Sequence, residues 1–236
     1  MDFSVEELYN KYGEPTLEPV IRYDGGSIPP DVPSYAVLPL WLGKRCEDIT
    51  LSEARILLFD YGETYSPEKH QRYTSNAPLC LQPPEARFES TQPLSFSSDI
   101  WTLACSIWSI LGQRDLFSGV LATEDSITRE QVKALGILPA KWWASWEARS
   151  NYFSEDGAPK RYPRTLEDGF EDSLKAPRQD LKLATFDTDE REAILTLMRS
   201  MLSFKPEHRP TADEVVKSEW MQKWALPEYE KMKGQA

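Results

Sequence analysis

Ser98-Asp99-Ile100-Trp101-Thr102-Leu103-Ala104-Cys105-Ser106-Ile107-Trp108-Ser109-Ile110-Leu111-Gly112 is the stretch that decides the fold. Ile100, Trp101, Leu103, Ala104, Ile107, Trp108 and Leu111 lie nearly all round a helical wheel. A helix apolar on most faces is buried on most faces, so the pattern predicts a central helical post. Gly112 is a natural stop for it. Toward the C-terminus, helical spacing predicts further helices over residues 129–135, 141–152, 189–202 and 212–217. Between the last two stands Phe204-Lys205-Pro206-Glu207-His208-Arg209-Pro210, whose prolines force a tight turn. Residues 155–178 are polar, with turn signals at Asp156-Gly157 and Asp168-Gly169, and read as an insert over a core holding Trp142, Trp143 and Trp146.

Toward the N-terminus, residues 55–59 (Arg-Ile-Leu-Leu-Phe) form a short apolar run that predicts a buried strand ending at a turn. Residues 64–84 show no strong period. Residues 14–39 hold six prolines and the pair Gly25-Gly26, which excludes a regular helix or a central strand and predicts an extended loop. Residues 2–12 carry Val5, Leu8, Tyr9 and Tyr12 at helical spacing, with Ser4 and Glu7 as a capping box and Gly13 as the stop. The expected class is mainly α, with one short β strand and a Pro-rich N-terminal loop segment.

Composition narrows the function classes. The 236 residues suffice for a sizeable core, and 40% apolar residues with eight Trp mark a globular chain. No run of about 18 apolar residues occurs, so no membrane span is expected. A formal charge of −11 argues against nucleic acid as the main partner and permits a basic peptide. Cys46, Cys80 and Cys105 are odd in number and widely spaced, as expected of reduced thiols in the cytoplasm or nucleus. Oligomeric state is not legible in the sequence.

Four short motifs appear in order: Asp60-Tyr61-Gly62, Pro83-Pro84-Glu85, Ser98-Asp99-Ile100-Trp101 and His208-Arg209-Pro210. Each alone is weak, since an Asp-aromatic-Gly is also a plain strand-ending turn and a Pro-Pro-Glu is common in loops. Their order, the 14 residues from Glu85 to Asp99, and the all-apolar helix carrying Asp99 make the set specific. Together they resemble the C-terminal lobe of a eukaryotic-type protein kinase. The stretch Asp99-Ile100-Trp101-Thr102-Leu103-Ala104-Cys105, with Leu116-Phe117 after it, resembles the serine/threonine kinases that phosphorylate Arg-Ser-rich proteins, and their filamentous-fungal relatives in particular. On this resemblance residues 1–52 are the end of a kinase insertion, 53–226 a partial kinase domain and 227–236 a tail.

The resemblance implies roles residue by residue. Asp60, with Gly62, would hold the Mg²⁺ that bridges the phosphates of ATP, with Tyr61 as an aromatic plug. Glu85 and Arg209 would form an ion pair fastening the activation segment to the helical lobe. Asp99 would accept backbone N–H groups of a catalytic loop, its bland alternative being a plain first-turn residue after Ser98. Thr74 and Ser75 fall in the activation segment, where phosphorylation acts. Basic Arg-Ser-rich peptides would be the partners, with Glu155, Asp156, Glu167, Asp168, Glu171 and Asp172 as a candidate acidic patch or simply a solvated face.

A kinase also requires a Gly-rich loop, a strand lysine and a His-Arg-Asp loop with a following Asn, all ahead of the metal Asp. Residues 1–59 contain no GxGxxG, no Val-Ala-x-Lys and no histidine. Gln113-Arg114-Asp115 imitates a catalytic loop but follows the buried helix, and Val120 stands where the Asn is required. The expectation is therefore a truncated kinase, or one whose start codon is misplaced, with no catalytic base of its own. The alternative is a catalytically silent, pseudokinase-type peptide-binding or decoy module.

Overall fold

The computed structural model describes residues 4–40, 43–45, 48–112 and 114–233. Cys46 and Gln113, named above, lie outside the described residues, as do the first two residues of the range 2–12. The chain divides into two compact units, residues 1–50 and 51–236. Among the described residues no helix is long and apolar enough to cross a membrane.

The first unit opens with helix α1 (Val5–Tyr12), started by a reciprocal capping box between Ser4 and Glu7 and ended at Gly13, whose φ of 83° suits glycine. The Pro-rich stretch was expected to be loop throughout. It instead contains a two-stranded antiparallel ribbon, β1 (Leu17–Pro19) against β2 (Tyr35–Val37), in the register Leu17 to Val37 and Pro19 to Tyr35. Proline fits here because a strand with one unpaired edge leaves a backbone position with no ladder bond to lose.

The second unit is helical. It runs through α2 (Glu85–Phe88), α3 (Phe96–Leu111), α4 (Glu124–Leu135), α5 (Ala140–Ser145), α6 (Arg149–Tyr152), α7 (Leu166–Gly169), α8 (Ala176–Asp180), α9 (Thr188–Met201), α10 (Ala212–Val216) and α11 (Leu226–Lys233). Helix α3 is the post that its sequence predicts. Trp101, Ala104 and Trp108 are fully buried, and α9 contributes Ile194, Leu195, Met198 and Met201 to the same core. Trp101 stacks on Phe117 and Phe204, while Trp108 meets Phe170 edge-on. Burial pushes the Cys105 thiol up to about 12, so it stays a neutral packing group. A smaller core gathers Val132, Leu138, Trp142, Trp146 and Phe153.

Three expectations are corrected. Residues 55–59 form no strand, and Ile56, Leu57, Leu58 and Phe59 are 84%, 79%, 73% and 76% exposed. An apolar run becomes a strand only when a neighbour takes its N–H and C=O groups, and no described strand lies beside it. The helix expected over 141–152 is two, α5 and α6, broken at Trp146, whose extended backbone lets its ring turn into the second core. The insert over 155–178 is more than a polar loop. α7, a π-helical segment Phe170–Lys175 and α8 follow one another and place Leu166, Phe170 and Leu174 in the main core. Those three recur every four residues, a period hidden among Glu167, Asp168, Glu171 and Asp172.

Candidate functional site

Glu85 begins α2, directly after the buried Pro83 and Pro84, and is 5% exposed. Arg209 follows the 3₁₀ turn Pro206–His208 that joins α9 to α10, and is 6% exposed. The two meet in a fork: Arg209 Nη1 donates to Glu85 Oε1 and Nη2 to Oε2, both at 2.7 Å. Every remaining donor direction of the guanidinium is used. Nε donates to the Ser203 carbonyl at 2.8 Å, Nη1 to that of Ser97 at 2.8 Å and Nη2 to that of Phe204 at 3.3 Å. Ser98 Oγ donates to Glu85 Oε1 at 3.0 Å, and the guanidinium lies 5.1 Å from the Trp101 ring centre. Such a pair tolerates burial because each charge keeps a full set of partners. The clamp joins α2 and the nearby first turn of α3 to the α9–α10 turn, with Arg209 124 residues from Glu85.

Ahead of α2 the chain crosses the N-terminal end of α3. Thr102 Oγ1 donates to the Leu81 carbonyl at 3.1 Å, and Leu94 N–H to that of Arg72 at 2.7 Å. Gln82 Nε2 donates to the carbonyls of Ser75 and Ala77, at 3.1 and 2.6 Å. Arg72 and Asn76 both donate to Glu63 Oε2, at 2.6 and 2.8 Å, and hold its carboxyl below the usual carboxylate range. An open groove of about 290 Å³ results, with Glu63, Arg72, Thr74, Ser75, Asp99 and Thr102 along it. Thr74 is exposed and Ser75 half-buried on this rim. Sequence spacing gives no signal for the Arg72–Glu63–Asn76 cluster, because its partners belong to an irregular loop.

Asp99 sits in the first turn of α3, exposed overall, and its carboxylate accepts no hydrogen bond from the described residues. Partial desolvation holds its carboxyl above the ordinary 3.8. Asp60 stands apart from this cluster. It adopts a left-handed conformation (φ 65°, ψ 59°) ahead of a 3₁₀ turn, Tyr61–Glu63, and is exposed. Asp and Asn accept this conformation more readily than most residues. Tyr61 is 59% exposed and is not the buried aromatic plug that the resemblance implies. Gly62 has only Asp60 Oδ1, 3.9 Å from where a Cβ would stand. The structure thus brings Glu85 and Arg209 together, leaves Asp99, Thr74 and Ser75 along one groove, and keeps Asp60 and Gly62 on an open turn.

Mg²⁺ takes near-octahedral oxygen ligands, usually one or two carboxylates with phosphates and water. Among the described residues no three His, Cys, Asp or Glu side chains gather together, and Glu63, three residues after Asp60, is engaged by Arg72 and Asn76. The described residues therefore do not fit the metal by themselves, and no chemical step is derived through it.

The candidate acidic patch is mostly engaged within the fold. Glu167 pairs with Arg199, Glu171 with Lys175 and Arg191, and Asp172 with Arg164. Asp168 caps α7 through Thr165, and Asp156 accepts from Ser154. Carboxylates so paired are held as structural partners of their own lobe.

No curated protein matches the chain. The family model for the protein kinase domain matches residues 47–221. That span takes in the Asp60 turn, the clamp from Glu85 to Arg209 and both hydrophobic cores. The chain belongs to the protein kinase domain family.

Proposed function

We propose that this chain supplies the helical, protein-substrate-facing part of a protein serine/threonine kinase of the group acting on Arg-Ser-rich proteins, in the cytoplasm or nucleus. The observation that carries the reading is the buried Glu85–Arg209 fork, which holds the segment bearing Thr74 and Ser75 against the helical core. The order of motifs around Asp99 supports the group, and Mg²⁺ with ATP are the cofactors that the protein kinase domain family generally uses. These residues by themselves do not transfer phosphate, since none of them stands ahead of Asp60 as a His-Arg-Asp base with its Asn. The open Asp60 turn favours a second reading, a catalytically silent peptide-binding module. The test is incubation of purified chain with Mg²⁺, ATP and a fluorescently labelled Arg-Ser repeat peptide, with peptide mass reporting added phosphate and fluorescence anisotropy reporting binding. The expected result is peptide binding without added phosphate. Phosphate transfer that Asp60→Ala abolishes would show a working site and overturn the reading.

A further inference from the structure

We infer that the cavity between α2 and α4 is a recognition pocket for a neutral primary amide, the Asn or Gln side chain of a bound peptide, read by Gln131. Gln131 lies on α4 and is 2% exposed. Its amide makes no hydrogen bond to any described residue, although neither polar atom is sealed from the cavity. Buried amides are normally paired, so an unpaired one facing a cavity points to a missing partner. The cavity measures about 50 Å³, well above the ~10–15 Å³ that one water needs. Apolar walls from Leu79, Pro84 and Ile127 surround it.

Charge decides the ligand class. The Arg87 guanidinium on the rim is already spent on Asp125 at 2.5 Å, on Thr128 Oγ1 at 2.6 Å and on Glu124 at 3.6 Å. An anionic ligand would have to draw Arg87 away from those partners; Glu124 keeps an exposed carboxylate at the outer rim, and the other open groups are neutral. They are the Gln131 amide and Gln82 Oε1, which accepts nothing while its Nε2 holds Ser75 and Ala77. A primary amide offers a donor and an acceptor side by side, and pairs with a second primary amide through two N–H···O bonds. Gln82 could take the ligand's other N–H. The same Gln82 fixes the loop that carries Ser75, so the pocket touches the segment that the proposed function places beside a protein substrate.

A peptide as bearer of the amide rests on that reading, while the test measures binding and stands apart from phosphoryl transfer. Full-length chain labelled with ¹⁵N is titrated with blocked Gly-Asn-Gly, Gly-Leu-Gly and Gly-Asp-Gly peptides and with acetamide, following the Gln131 side-chain NH₂ signals in the natural chain and the backbone amides lining the cavity in both the natural chain and Gln131→Met. The expected result is a saturable shift with the Asn peptide alone among the peptides, at least about tenfold weaker in Gln131→Met. The backbone spectrum of that variant away from the cavity serves as the check on folding. Equal binding of the Leu or Asp peptide to the natural chain overturns the inference without recourse to any variant. So does undiminished binding by a folded Gln131→Met, or a response to acetamide with none to the Asn peptide.

Discussion

Arg209 makes more contacts than Glu85, and the difference is measurable. Removing one partner of a buried ion pair costs about 3–5 kcal/mol, because the other charge is left uncompensated. Glu85→Ala strands a guanidinium that still has three backbone carbonyls, whereas Arg209→Ala strands a carboxylate with Ser98 Oγ as its remaining donor and also frees those carbonyls. Both variants are expected to lose stability on that scale in urea unfolding, Arg209→Ala the more. A loss under about 1 kcal/mol for both, the scale of a surface pair, would remove the clamp from the account. Asp99 makes the opposite contribution. Its folded pKa is raised, so its favourable contribution is full below the ordinary 3.8 and is lost as pH rises through the folded value. At neutral pH its charge opposes folding. Asp99→Asn is therefore expected to be the more stable form near pH 7, with the gap closing toward pH 3. A constant gap across that range would mean the side chain acts by packing and not by charge.

At the scale of elements, periodicity made α3, α9 and the capped α1 legible, because each carries its own pattern and its own stop. The motif order made the Glu85–Arg209 fork legible, since the resemblance implies that pair. Residues 55–59 misled because strand formation needs a partner, and an apolar run says nothing about whether one is present. The helices of the insert were hidden because Leu166, Phe170 and Leu174 stand among charged residues that bond within the lobe. Gln131 carried no signal at all, for a glutamine on a helix is ordinarily a surface residue. The insert's packing against α3 has a consequence at Gly112. A Cβ there would stand 2.6 Å from the Ser173 carbonyl oxygen and 3.0 Å from Leu174 Cδ1. Gly112→Ala is expected to cost about 1–3 kcal/mol by overpacking, although its backbone is extended and needs no glycine. Unchanged thermal stability in that variant would mean the insert is free to lift away from the end of α3.

Over the whole molecule, exposed apolar surface stands against net charge. Ile56 to Phe59 form a continuous exposed apolar run, without proline and with no backbone hydrogen bond among the described residues, the kind of segment that joins other chains. The formal charge of −11 opposes association, but salt screens it beyond about 8–10 Å. Contact between runs is shorter in range than that, so association is expected to grow with added salt. Leu57→Lys with Leu58→Lys should suppress it and leave the melting temperature unchanged, as these side chains pack on little. Light scattering against concentration checks this, and equal scattering by the variant would place the association elsewhere. The central claim concerns the same open end of the lobe: a kinase-family fold held by its buried clamp, whose own residues do not assemble a nucleotide site around Asp60. Calorimetric titration of the purified chain with Mg·ATP tests it most directly. The account predicts no saturable heat up to about 1 mM nucleotide, a ceiling of about −4 kcal/mol in binding free energy. Saturable one-to-one binding that disappears in Asp60→Ala would contradict it.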